Sequence, residues 1–202
     1  RVYEKIERPL ISILACARAR GIMLHVAQLR ELSVRYHFDL KELETKIFAR
    51  AGKTFNLNSP RQLGEVLFDT LNLSVKGLKK TPGGARSTRE SELIKLRDAH
   101  PVVAEILNYR ELQKLISTYV DALPKLVGRD GALHTHFEQT GTTTGRMSSR
   151  DPNLQNIPGD GERGAAIRRA FVARPGHVFA AFDYSQIEMR VLAVLSGDRA
   201  LL

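Results

Sequence analysis

The chain has 202 residues, of which 43% are hydrophobic, so it can bury a core and is not a disordered segment. No apolar run approaches the ~18 residues of a membrane-spanning helix, and the single Cys16 excludes an intrachain disulfide scaffold. The net charge of +9 indicates a polyanionic partner, with nucleic acid as the first candidate and a merely basic protein as the alternative. We expect Cys16 to be buried as a small apolar side chain. The sequence does not begin with Met, and we expect it to be a fragment.

The first two-thirds of the sequence has the three-to-four-residue spacing of amphipathic helices. One predicted helix runs to Gly21, and a second, with apolar positions from Leu29 to Ile47, ends before Gly52. Capping boxes at Ser59–Gln62, with Pro60 in the first turn, and at Ser87–Glu90 predict two further helix starts. Pro101 is predicted to begin a helix that reaches about Val120, and its buried stripe is Ile106, Tyr109, Leu112, Ile116 and Tyr119.

After Pro124 the period changes to the alternation of strands. A predicted strand over residues 132–140 places Leu133, Thr135 and Phe137 on one face, with His134 and His136 on the other. The two histidines lack a third nearby ligand, so half-exposed strand histidines are favoured over a metal site. A polar loop follows, and then a turn at Pro175–Gly176, a strand over residues 177–183 and a helix from Ser185. Helices followed by strands predict an α+β fold with two lobes.

Basic residues concentrate beside a glycine-rich loop in the first lobe. Seven of them stand between residues 76 and 97, against Glu90 and Glu92: Lys76, Lys79, Lys80, Arg86, Arg89, Lys95 and Arg97. On the next helix, Arg110 and Lys114 are four residues apart and share a face with Ser117. A solvated helix face explains any one of these groups equally well. Three neighbouring elements with the same bias favour a surface that follows a nucleic-acid backbone.

Two further segments contain side chains that could carry function, and each has an ordinary structural explanation. In the loop from Thr142 to Pro158, four side chains could reach base edges: Arg146, Asn153, Gln155 and Asn156. The alternative is that the sequence of this loop simply forms turns. Asp183 at the end of a strand could bind a divalent metal or make a turn. Glu188 could serve chemistry or complete a capping box with Ser185.

Long stretches of the sequence resemble family A DNA polymerases, the bacterial polymerase I type. DYSQIEMRVLA (residues 183–193) resembles motif A, and TTTGRMSSRDPNLQNIP (142–158) resembles the segment before it. Three further stretches resemble the thumb of the same family: FNLNSPRQLGEVLFD (55–69), LKKTPGGARST (78–88) and YRELQKLISTY (109–119).

The resemblance implies an incomplete right-hand polymerase of α+β class, in which a helical thumb precedes the antiparallel-sheet start of the palm. Residues 1–25 would form a helix at the palm–thumb junction, 26–126 the thumb, and 127–202 the first part of the palm. The sequence departs from the family at Gly159–Asp160, where a basic residue is usual, and at Ile116, where the thumb often carries Lys.

The family also implies roles for individual residues. Asp183 would bind two catalytic Mg²⁺ ions, and the carbonyl of Tyr184 would ligate one of them. Glu188 would pack against the incoming sugar and exclude a 2′-OH, and Arg146 would reach the minor groove at the primer end; with Asp183, these two form the implied catalytic set. The nucleotide-binding set is Ser185, Gln186, Ile187 and Glu188. The DNA-binding set is Asn58, Ser59, Arg86, Ser87, Thr88, Arg110, Lys114, Arg146, Asn153, Gln155 and Asn156.

The implied activity is template-directed DNA synthesis from deoxynucleoside triphosphates on a primer 3′-OH, in replication or repair. The second metal-binding aspartate is expected beyond Leu202, so the fragment is expected to be inactive alone. The expected partners are a primer–template duplex and nucleotides, with no membrane, in a monomer of the bacterial cytoplasm associated with the nucleoid. The alternatives are a non-catalytic duplex-binding protein with a polymerase-like thumb and a helical protein-interaction module.

Overall fold

The computed structural model describes residues 1–74, 76–159, 161–198 and 200–201. Its contacts divide the chain into two compact units, Arg1–Val172 and Ala173–Leu202, which are described separately below. Within the described residues, no helix has the length and apolar character to cross a membrane. The predicted departure at Asp160 lies outside the described residues, and the predicted thumb and palm boundaries stay predictions.

The first helix, α1 (Arg8–Arg20), follows a π-helical segment (Tyr3–Glu7) and ends at Gly21 as predicted, where φ is 64°. None of its residues is buried, because only a narrow stripe that includes Leu10 and Leu14 is partly covered. Cys16 is exposed, so the prediction that it is buried is wrong. Two positions beyond Leu14, a side chain lies about 200° further around the helix and faces away from that stripe.

The core of the first unit is built on two long helices. The 26-residue α2 (Val26–Ala51) ends at Gly52, and α5 (Pro101–Leu115) continues as a π-helical segment (Ile116–Val120). The predicted stripe of α5 is confirmed, since all five of its side chains are buried. They meet leucine and isoleucine side chains of α2 in one apolar cluster that includes Leu29, Leu40, Leu43 and Ile47.

Short helices connect these two, and their starts only partly match the predicted capping boxes. In α3 (Pro60–Gly64), which continues as a π-helical segment (Glu65–Thr70), the hydroxyl of Ser59 accepts from the Gln62 amide. The Gln62 side chain accepts from the amide of Asn56 instead of that of Ser59, which donates to the Asn56 carbonyl.

The second predicted box is wrong. Helix α4 (Glu90–Lys95) has Arg89 as its N-cap, and no side chain caps it. The Ser87 hydroxyl accepts a hydrogen bond from the Arg89 amide, so it closes a local turn before the helix begins.

Among the described residues, two small antiparallel sheets complete the first unit and confirm the α+β class. In the first, β1 (Ile22–Leu24) lies between β2 (Ala132–Leu133) and β5 (Phe171–Val172); in the second, β3 (His136–Glu138) pairs with β4 (Ser148–Arg150). The predicted strand over residues 132–140 is therefore split between two sheets. The remaining helices are α6 (Leu123–Leu126) and α7 (Gly161–Arg168).

The histidines of the split strand are half-buried, as expected. The two ring nitrogens of His134 lie 2.7 Å from the Arg18 carbonyl and 3.1 Å from Asp130, and His136 lies 3.0 Å from the Arg18 guanidinium. Across the described ranges, no three His, Cys, Asp or Glu side chains converge as a metal site.

In the described part of the second unit, a turn lies at Pro175–Gly176, as predicted, and the helix α8 (Ile187–Ser196) follows. Residues 177–183 are not a strand, contrary to prediction, because no described strand pairs with them. The predicted helix start at Ser185 is also wrong. Gln186 adopts a left-handed conformation, with φ 52°, and no side chain caps the helix.

Candidate nucleic-acid interface and the Asp183 segment

The glycine-rich basic stretch folds into a hairpin, which we define as residues 79–87 and call the basic hairpin. The amide of Thr81 donates to the carbonyl of Ala85 at 2.7 Å, and the amide of Ser87 donates to the carbonyl of Lys79 at 2.9 Å. Gly84, with φ 82°, makes the turn between them. The exposed Lys80 and Arg86 are bridge partners across the hairpin, so the fold brings two cations together.

A cleft of about 550 Å³ separates the basic hairpin from α3 and the π-helical segment after it. Its charged lining contains three cations (Arg61, Lys80 and Arg86) and two carboxylates (Glu65 and Asp69). The Arg86 guanidinium lies 5.2 Å from the ring centroid of Phe68, a cation–π contact that holds its long side chain at the cleft. An exposed basic edge with one fixed guanidinium is suited to phosphate contacts.

Two of the predicted DNA-binding side chains are buried at the end of the basic hairpin. They belong to Ser87 and Thr88, which are only 5% and 6% exposed. The Thr88 carbonyl accepts a 2.6 Å hydrogen bond from the Arg110 guanidinium. Burial lowers the pKa of Arg110, and the nearby Glu90 acts in the opposite direction. The guanidinium stays charged and joins α5 to the end of the basic hairpin. One turn beyond Arg110, Lys114 of α5 is exposed, and so is Ser117 in the π-helical segment that follows.

At the start of α3, Asn58 is exposed, while the Ser59 hydroxyl serves as the helix cap. Tyr109 of α5 lies nearby, and its hydroxyl donates to Glu44 at 3.2 Å. Burial and the Glu44 carboxylate raise the pKa of Tyr109, and a hydrogen bond with the Asn58 side chain partly opposes them. The two predicted contacts therefore stand at a helix start that is braced against α5.

The polar loop before α7 is held together by its own amides. Asn153 accepts from the Gln155 amide at 3.0 Å and from the Ser149 hydroxyl at 3.4 Å, which is the turn chemistry considered as the alternative. The Gln155 side chain donates to the Met147 carbonyl at 2.9 Å. Asn156 and Arg146 are exposed, and the Arg146 carbonyl accepts from the Thr142 hydroxyl. The loop thus displays its polar residues from a braced backbone.

Tyr119 contributes to this loop, a role that the sequence did not reveal. Its side chain is 5% exposed, and its hydroxyl donates to the Asn156 carbonyl. Burial raises the pKa of this hydroxyl. The available signal was that a tyrosine in a buried stripe needs a partner for its hydroxyl.

In the second unit, Asp183 and Tyr184 are exposed in an irregular segment that leads to α8. Ser185, Gln186, Ile187 and Glu188 follow, all exposed, and the Ser185 carbonyl accepts from the Arg190 guanidinium at 2.9 Å. Glu188 lies in the first turn of α8, where a negative charge is favoured by the helix dipole. The Asp183 carboxylate and the Tyr184 carbonyl are oxygen ligands of the kind that Mg²⁺ prefers.

Comparison with known proteins gives consistent matches over the chain. The family model for DNA polymerase family A matches residues 26–202. The thermostable DNA polymerase I of Thermus aquaticus is 54% identical over 100% of this chain, and DNA polymerase I of Chloroflexus aurantiacus is 48% identical over the same share. The chain spans 24% and 22% of the length of these two relatives.

A solved structure is also similar: the POL domain of Pol1 from M. smegmatis in complex with DNA primer-template and dNTP. It superimposes with a TM-score of 0.87 at 39% identity, over 96% of this chain and 34% of the other.

Proposed function

This chain belongs to DNA polymerase family A, and we propose that it supplies the thumb and the first part of the palm of an enzyme that synthesises DNA on a template. Residues 1–25 would join palm and thumb, residues 26–126 would form the thumb, and residues 127–202 would begin the palm. The observation that carries the proposal is the family match over residues 26–202, which includes both the basic hairpin and the Asp183 segment.

The first unit would bind the duplex through contacts with the phosphate backbone of the DNA. Lys80 and Arg86 of the basic hairpin and Lys114 of α5 are exposed cations in a chain of net charge +9. Such contacts carry no sequence information, which suits an enzyme that must follow any template. We assign the same role to Asn58 and Ser59 at the start of α3, and to Arg110 beside Ser87 and Thr88.

The Asp183 segment would hold the reacting groups. The Asp183 carboxylate and the Tyr184 carbonyl would bind Mg²⁺, with another carboxylate supplied from outside these residues. When bound, two such ions lower the pKa of the primer 3′-OH and neutralise the charge of the departing pyrophosphate. We expect the isolated 202 residues not to extend a primer, because one aspartate does not complete a two-metal site.

The neighbouring side chains would select the nucleotide. Glu188, mounted in the first turn of α8 beside Ser185, Gln186 and Ile187, would pack against the deoxyribose where a ribose 2′-OH would otherwise lie. Arg146 would donate to the minor-groove acceptors, which lie in similar places on every correct pair, so pair shape is checked without reading sequence. Asn153, Gln155 and Asn156 would contact the strands nearby.

A primer-extension assay tests this function in the whole protein. We expect extension that needs a primer–template, deoxynucleoside triphosphates and Mg²⁺, by a monomer of the bacterial cytoplasm associated with the nucleoid. A duplex-binding titration across salt concentrations separates the alternatives, because phosphate contacts give an affinity that falls steeply with salt. Salt-dependent binding without extension would favour the non-catalytic duplex-binding protein. The absence of both binding and extension would favour a protein-interaction module.

A further inference from the structure

One buried carboxylate, that of Glu92, fastens the basic hairpin to α4. The side chain is 3% exposed, although it stands in the most basic stretch of the chain. Burying a carboxylate is unfavourable unless it is paired and hydrogen-bonded. The partners of Glu92 therefore indicate what its burial achieves.

Those partners belong to the hairpin and to the end of α4. Glu92 accepts a 2.9 Å hydrogen bond from the backbone amide of Lys79 and a 2.8 Å bond from the ammonium of Lys95. The same ammonium donates to the Gly77 carbonyl at 3.0 Å. The bonds from Lys95 and from the Lys79 amide lower the pKa of Glu92, so the carboxylate is charged at neutral pH.

The hairpin is therefore held at both ends. At its first residue, the Lys79 amide is bound by Glu92 and the Lys79 carbonyl accepts from the Ser87 amide. Just past its last residue, the Thr88 carbonyl is bound by Arg110. The exposed cations between these anchors, Lys80 and Arg86, are presented from a fixed base.

We propose that Glu92 is a positioning residue for duplex binding, which fixes the basic hairpin so that Lys80 and Arg86 engage phosphates together. This inference rests on the proposed function. A hairpin that is already ordered loses less conformational freedom when it binds. By ordering the hairpin, Glu92 would strengthen binding, whereas its negative charge close to the duplex would by itself weaken binding.

The two effects predict opposite results when the charge is removed from the whole protein. Glu92→Met keeps the length of the side chain and removes the acceptors, and Glu92→Gln keeps one acceptor oxygen. Asp98→Asn is the matched control, since Asp98 is exposed in the turn after α4 and the charge lost is the same.

Duplex affinity is measured across salt concentrations. We expect Glu92→Met to weaken binding about tenfold and to lower the log–log salt slope by up to roughly two units, because each phosphate contact contributes about 0.9. Glu92→Gln is expected to fall between Met and the wild type, and Asp98→Asn to keep the slope with equal or tighter binding. If Glu92→Met and Asp98→Asn behave alike, Glu92 has no positioning role.

Amide hydrogen exchange provides a readout that does not depend on DNA. The Lys79 amide should be protected in the wild type and exchange faster in Glu92→Met, while the amide of Ile106 in α5 stays protected. If the variants do not fold, the wild type still decides: a Lys79 amide that exchanges as in an unstructured peptide overturns the proposal. A wild type without salt-dependent duplex affinity contradicts the proposed function itself, whereas equal binding by Glu92→Met contradicts only the role of Glu92.

Discussion

The hydroxyl of Tyr119 donates a hydrogen bond to the backbone carbonyl of Asn156. Tyr119 lies in the π-helical segment that continues α5, and Asn156 lies in the polar loop whose exposed side chains are assigned to DNA. The bond connects the helical core of the first unit to that loop. A loop that we propose to face the duplex is thereby held by a buried side chain of the helical core.

Removing this bond should loosen the loop without breaking the core. We expect Tyr119→Phe to lower the free energy of unfolding by about 1 kcal/mol, the usual net value of one hydrogen bond. Hydrogen exchange should accelerate at Leu154 and Gln155, and not at Ile106. Because burial raises the pKa of Tyr119 above 10.0, the protonated hydroxyl stabilises the fold below pH 10. The difference between variant and wild type should shrink as the pH rises through the folded pKa; a difference that persists there contradicts this role.

Asp121 should stabilise, at neutral pH, the junction between α2 and the end of the π-helical segment that continues α5. It accepts from the Ser33 hydroxyl at 2.7 Å and lies 2.9 Å from the His37 ring. Partial burial acts to raise the pKa of Asp121, but the bonds from Ser33 and His37 lower it overall, below 3.8. Its contribution is therefore present above pH 3.8 and is lost as the pH falls through the folded pKa.

The test for Asp121 is urea unfolding of Asp121→Asn at several pH values. At pH 7 we expect a loss of less than about 1 kcal/mol, because the pair is partly solvated. The loss should diminish toward pH 3. Asp98→Asn, in an exposed turn, serves as the control and should show no such trend. A deficit of Asp121→Asn that grows as the pH falls below 3.8 contradicts the assignment.

Lys114 should contribute one phosphate contact. We expect Lys114→Ala in the whole protein to lower the log–log salt slope of duplex binding by about 0.9. Lys46→Ala is the matched control, since Lys46 is an exposed lysine of α2 that lies 3.9 Å from Glu42. Equal slopes for the two variants would remove Lys114 from the interface.

Glu188 should select the sugar. We expect Glu188→Ala to weaken incorporation of deoxynucleotides and to relax their preference over ribonucleotides in the whole enzyme. Kinetics with both triphosphates measure this ratio. An unchanged ratio together with a less stable α8 would instead show that Glu188 stabilises the helix start, where its negative charge interacts favourably with the helix dipole.

Local periodicity accounts for what the sequence could predict of the fold. Helices α2 and α5 carry stripes of buried side chains over many turns, so their pattern is plain. The strands β1 and β4 have three residues each, which is too short a pattern to detect. In addition, β1 pairs with segments far away in the chain, whereas β4 pairs with β3 across the loop between them. The helix α7 was missed because it contains Gly161 and Gly164. Gly164 permits close packing, since a Cβ there would lie 3.2 Å from the Pro158 carbonyl carbon.

The candidate site, too, could be predicted only in part. Its residue types and motifs follow from the sequence, whereas the hydrogen bonds that position these residues join separate segments and do not. A capping box at Ser87 was plausible from spacing, but Ser87 bonds the amide of Arg89 instead. From the sequence, Glu92 contributes only one negative charge. Its spacing from Lys95 predicts an ion pair, but it does not predict the bond that Glu92 accepts from the Lys79 amide of the hairpin.

The central claim is that Asp183 binds the metal on which DNA synthesis depends. Primer extension and duplex affinity are measured for Asp183→Asn in the whole protein, with Asp98→Asn as the control. We predict that extension falls on the order of 10³-fold, as several kcal/mol of lost charge stabilisation implies, while duplex affinity stays within about twofold because phosphate contacts are unchanged. Extension by Asp183→Asn at the wild-type rate would contradict the claim.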